Sequence, residues 1–99
     1  MAKRESVFQR NLKKEIKERF PDSKIIRLNP NDNWQGIPDL LVLEKSHWAA
    51  LEVKRSREAS KRLHQDYYVE QMNNMSYATF VCPENKDKVL DDLALIFKG

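Results

Sequence analysis

Cysteine, glycine and histidine are scarce in this 99-residue chain. The single cysteine, Cys82, excludes an internal disulfide framework and points to a reducing compartment. Of two glycines only Gly36 is internal, so a glycine-rich phosphate loop is excluded. The two histidines, His47 and His64, fall in unrelated contexts and do not make a zinc site. No Walker motif and no Ser-His-Asp pattern is visible. No apolar run approaches the roughly 20 residues of a membrane span. The charged start, MAKRESVFQ, lacks the apolar core of a secretory signal. The expectation is a soluble, cytoplasmic protein with no membrane partner. Repeats, linkers and low-complexity tracts are also missing.

What is present suits one small domain spanning residues 1–99. Hydrophobic residues make up 40% of the chain, enough for one modest core. Domains this small often gain stability by oligomerising. The net charge of +3 and the pI near 9.1 suit a nucleic-acid partner without demanding one.

The stretch from Gly36 to Lys54, GIPDLLVLEKSHWAALEVK, reads as two short strands joined by a tight turn. Side chains alternate faces along a strand. Ala50, Glu52 and Lys54 therefore share one face, and Ala49, Leu51 and Val53 the other. A turn centred on Lys45-Ser46 sets Glu44 opposite His47, Leu43 opposite Trp48, and Asp39 opposite Glu52. Opposed residues have Cβ atoms about 5 Å apart. Two carboxylates that close repel unless a cation lies between them. Mg²⁺, with oxygen ligands at about 2.0–2.1 Å, is the natural bridge.

Around this hairpin the chain reads in order. Phe8, Leu12, Ile16 and Phe20 recur every four residues and predict an amphipathic helix over 5–20, stopped by Pro21-Asp22. Glu5 lies on its apolar stripe. Two roles are open to it: compensating the helix dipole, or reaching inward to a metal. Lys24 to Asn29 predicts a strand, and residues 30–35 a polar loop. Gly36 supplies a backbone geometry that other residues would strain to adopt, and Pro38 starts the next strand. A second helix is predicted over about 60–74, with Leu63, Tyr67 and Met72 inward. Tyr77 to Cys82 reads as a strand buried on both faces, and Pro83-Glu84-Asn85 starts a last helix with Val89, Leu93, Ile96 and Phe97 inward. The order is αβββαβα, and the crossover through the second helix predicts a parallel, right-handed pair of strands.

In a chain that is 33% charged, an acid two residues before a lysine usually marks a solvated strand face. Here both acids flank one hairpin and their neighbours are apolar. Asp39 and Glu52 are thus candidate Mg²⁺ ligands, with the Val53 carbonyl beside them. The ion's task would be water activation and charge stabilisation during phosphodiester hydrolysis. Lys54 would position that water or pair with the phosphate. Arg55, Arg57, Lys61 and Arg62 follow the active strand and suit a polyanion. Asn33 and Trp34 lie in the loop beside the site, to touch a backbone or stack on a base, although Trp34 is equally a packing anchor.

Pro38-Asp39 and Glu52-Val53-Lys54 resemble the signature of the PD-(D/E)xK nuclease superfamily, and GIPDL, ALEVK and Gln65 are similar to its VRR-NUC group, related to Holliday junction resolvases. The resemblance runs from Glu5 to about Pro83. It implies a restriction-endonuclease-like αβββαβ(α) core of the α/β class, with a mixed four-stranded sheet flanked by helices. It implies that Glu5, with Glu15 as the fallback, completes the acidic set, and that Gln65 lies near the active centre. It further implies a Mg²⁺-dependent endonuclease, with Mn²⁺ able to substitute. The partner would be branched or structured DNA, the assembly a homodimer, and the source a prokaryote or phage. One departure is local: the group usually places a small residue or glycine before its fourth strand, where this chain has Asn73-Asn74-Met75-Ser76. Competing readings are a sequence-specific restriction or homing-type endonuclease, and a DNA-binding module that kept the fold without turnover.

Overall fold

A computed structural model describes residues 2–28, 36–58 and 65–98, with side chains from position 6 onward. The elements are α1 (Ala2–Arg19), β1 (Lys24–Arg27), β2 (Leu40–Glu44), β3 (His47–Val53), α2 (Gln65–Met75), β4 (Tyr77–Val81) and α3 (Lys86–Lys98). The expected αβββαβα order is observed. The strands form one open sheet in the order β1-β2-β3-β4. The first three run antiparallel to their neighbours and β4 joins β3 in parallel, as a helical crossover requires.

The alternation within β3 sorts the interior into two layers. Ala49, Leu51 and Val53 face α1 and α3, where Leu12, Ile16, Val89, Leu90, Leu93 and Phe97 close a single core. The opposite face presents Ala50 and Ala78 to Val69 of α2, with Leu41, Trp48, Met72 and Phe80 around them. Burying a large aliphatic side chain contributes about 1.5–3 kcal/mol. The larger layer, with both terminal helices on it, is therefore the chief source of stability. Two ion pairs join those helices, Arg19 to Asp91 at 3.2 Å and Lys86 to Glu15 at 2.8 Å. α1 ends with the Lys17 ammonium donating to the carbonyls of Pro21 and Ser23 at 2.9 and 2.6 Å. The cation thereby ties the turn that follows the helix back onto its last turn.

Three expectations are corrected. In α2, Tyr67 faces out at 53% exposure and packs edge-on against Tyr68. Its inward line is Gln65, Val69 and Met72, spaced at four and three residues. Tyr67, two residues past Gln65, lies about 200° around the helix from it. In β4 only Ala78 and Val81 are fully buried, because among the described residues the strand lies at the edge of the sheet and has a neighbour on one side only. β1 ends at Arg27, two residues short of Asn29, and Ile26 on this other edge is 42% exposed.

The hairpin turn is Lys45-Ser46, with Lys45 at φ 55°, a left-handed conformation that strains a residue bearing a Cβ. Before β4 the chain needs no glycine. A single residue, Ser76, joins α2 to the strand; its N–H donates to Met72 O at 3.0 Å and its hydroxyl to the Trp48 carbonyl.

Candidate active site

Gly36 adopts φ 93°, which a side chain would make costly, and this turn delivers the buried Pro38 and then Asp39 to the start of β2. The paired residues Leu40–Leu51, Val42–Ala49 and Glu44–His47 each sum to 91. The next step outward along that register is Asp39 and Glu52, as the turn predicts. Asp39 is fixed from two directions: its carbonyl accepts from Leu28 N–H at 2.7 Å, and its carboxylate Oδ2 accepts from Val53 N–H at 2.8 Å. The acid thus continues the β2–β3 pairing through its side chain.

Glu52 is 1% exposed, Lys54 7% and Gln65 0%. A charge so secluded is costly unless hydrogen-bonded and paired. Here the Lys54 ammonium donates to Gln65 Oε1 at 2.7 Å, and Gln65 Nε2 donates to Glu52 Oε2 at 2.6 Å. An ammonium donates and a carboxylate accepts, so this network fixes which end of the amide is oxygen. β3 supplies both charges from one face, and its pairing continues past its end through Lys54 N–H to Val81 O at 2.8 Å. α2 supplies the amide from its first described residue. The ends of two strands and one helix therefore converge on a short chain of polar side chains, with half-buried Asp39 at the adjacent strand end.

Other expected residues are placed less closely. Arg55 and Arg57 are exposed just beyond Lys54, and the Arg57 main-chain N–H donates to Glu84 Oε1 at 3.2 Å. Lys61, Arg62, Leu63, His64, Asn33 and Trp34 lie outside the described residues, as does the side chain of Glu5, whose backbone belongs to α1. Glu15, the fallback acid, is engaged by Lys86, whose ammonium it holds above the ordinary lysine range. Among the described residues no group of three Asp, Glu, His or Cys side chains gathers in one place. Asp39 and Glu52 are the two carboxylates that the hairpin brings to one strand end. His47 faces Glu44 across the turn. Cys82 is a buried core residue whose thiol is pushed up by burial.

Several polar residues escaped sequence reasoning. Asn73, Tyr77, Thr79, Asn85, Lys88 and Asp92 line a cavity of about 340 Å³ beside the outer edge of β4. Isolated asparagines on helix ends carry no periodic signal, so nothing in the sequence marked them. No family model matches the chain, and comparison with curated proteins and with solved structures returns no match.

Proposed function

We propose that this protein is a Mg²⁺-dependent DNA endonuclease of the PD-(D/E)xK type, hydrolysing phosphodiester bonds in branched or structured DNA as a homodimer. The observation that carries the reading is the buried Glu52–Gln65–Lys54 chain beside Asp39. The αβββαβα element order and the four-stranded mixed sheet support the reading.

The donor set suits a hard cation. Mg²⁺ commonly takes one or two protein carboxylates and keeps several waters. Asp39 and Glu52 would hold it, with the Val53 carbonyl and, from α1, Glu5. When bound, the ion supplies an acidified water and neutralises phosphate charge. Mn²⁺ would substitute. The remaining work falls to the chain itself. Gln65 fixes the Glu52 carboxylate and the Lys54 ammonium relative to each other, so neither reorganises as charge builds on the phosphate. Lys54 holds a positive charge at the strand end where a phosphate would lie. Arg55 and Arg57, with Lys61 and Arg62, would bind flanking phosphates, and Asn33 and Trp34 a backbone or a base.

A cleavage assay on four-way junctions, flaps, linear duplex and single strands tests the proposal. The expected result is divalent-metal-dependent cutting, strongest on a branched form and lost in Asp39→Asn and Glu52→Gln. Full activity in either variant would sink the mechanism. Lys54→Ala should lower turnover more than metal affinity. The seclusion of Glu52 favours one competing reading, a DNA-binding module without turnover. Tight binding of junctions with no cutting in Mg²⁺ or Mn²⁺ would select that reading.

A further inference from the structure

We propose that Asn73 and Asn85 close the free edge of the sheet, and that they keep β4 from pairing with a second copy of this chain. Among the described residues β4 has β3 on one side and no strand on the other. Main-chain groups of successive strand residues point to alternate sides. The Val81 carbonyl accepts from Lys54, so it faces β3. The main-chain groups of Ala78, Phe80 and Cys82 therefore face outward. Side-chain amides meet three of them: Ala78 N–H donates to Asn73 Oδ1 at 3.0 Å, Asn85 Nδ2 donates to the Phe80 carbonyl at 3.0 Å, and Cys82 N–H donates to Asn85 Oδ1 at 2.8 Å.

The Asn85 pattern is that of a strand. In a parallel ladder, a residue donates to the carbonyl preceding its partner and accepts from the N–H following it. The Asn85 amide does both around Val81, in the place of a peptide unit from a fifth parallel strand. Asn85 directly precedes α3, where an asparagine normally accepts from an N–H of the first helical turn. Its amide is turned back onto β4 instead. Between the two asparagines the edge borders the 340 Å³ cavity, flanked by Lys88 and Asp92. Charges beside an edge deter a neighbouring strand. An edge stripped of these amides, in a solution of the pure protein, meets only other copies.

Two measurements on the full chain test this. The first is amide hydrogen exchange. Ala78 and Cys82 should be protected in the wild type. Asn73→Ala should expose Ala78 alone, Asn85→Ala should expose Cys82 alone, and Asn85→Asp, which keeps the acceptor, should leave Cys82 protected. The second is sedimentation across a concentration series. Asn73→Ala combined with Asn85→Ala should form assemblies larger than those of the wild type, at concentrations at least tenfold below any at which the wild type does so. Unprotected Ala78 and Cys82 in the wild type would overturn the proposal. A folded double variant that sediments like the wild type would also overturn it. If the double variant does not fold, exchange in the single variants decides.

Discussion

Gln65 donates its side-chain N–H to the Glu52 carboxylate over 2.6 Å while accepting from Lys54 over 2.7 Å. One neutral amide thus links two buried charges of opposite sign. Gln65→Leu keeps most of the volume and leaves each charge with one hydrogen bond fewer. The expected loss is about 1–3 kcal/mol of stability, read by urea denaturation. Gln65→Glu should cost more at neutral pH, because two carboxylates then meet in the interior. Part of that loss should return on acidification.

Asp39 has a structural duty as well as the proposed chemical one, since its carboxylate receives the Val53 N–H. Asn and Ala substitutions separate the two. Asp39→Asn keeps an acceptor oxygen for the Val53 N–H and should lose less stability than the alanine form. Asp39→Ala removes the acceptor and should lose about 1–3 kcal/mol. Both should lack metal-dependent cleavage. Retention of activity in the Asn form would remove Asp39 from the site.

A second polar cluster predicts a pH response away from the site. Asp92 accepts from Lys88 at 2.9 Å and from the Tyr77 hydroxyl at 3.0 Å. Those bonds, Lys88 first, hold its carboxyl below the usual range. A depressed folded value means stabilisation that is present above the ordinary carboxylate pKa and is lost as pH falls through the lowered one. Burial, then Asp92, pushes the Tyr77 phenol upward, so its contribution is present below the ordinary tyrosine pKa and lost as pH rises toward the folded value. Tyr77→Phe should raise the Asp92 pKa in a carboxyl NMR titration and flatten both limbs of the stability profile. An unmoved Asp92 titration would contradict the assignment.

Salt dependence tests the polyanion contacts. Each phosphate neutralised on duplex DNA steepens the plot of log affinity against log salt by about 0.9. Replacing both Arg55 and Arg57 with alanine should therefore flatten the slope by about 2, with little change in turnover at saturating DNA. An unchanged slope would place the DNA elsewhere.

The parts that sequence reasoning recovered follow from strict alternation or from chain connectivity. The β2–β3 register rests on LLVL and WAAL meeting across a two-residue turn, and a slip of one would bury the wrong face. The parallel β3–β4 pair follows from the helix between them. The phase of α2 did not come through, because its most buried position carries Gln65, a residue that hydropathy reads as surface. Asp39 and Glu52 were found by register, whereas the amide that joins Glu52 to Lys54 was placed near the site only through the family resemblance. The edge asparagines were missed although their main-chain partners lie only three to five residues away, because a single asparagine beside a strand end leaves no periodic pattern to read.

The Lys45-Ser46 turn lies at the far end of β3 from Glu52. Six residue steps at about 3.4 Å place roughly 20 Å between Ser46 and that acid. Both turn residues are exposed, and Lys45 already holds a left-handed backbone. The hairpin tip is therefore a handle. New chain ends from a circular permutation, or a fluorophore on a cysteine introduced there, would leave the polar chain at the other end untouched. A permuted protein opened at this turn would still carry Asp39 and Glu52 on adjacent strands, held in register by the ladder alone.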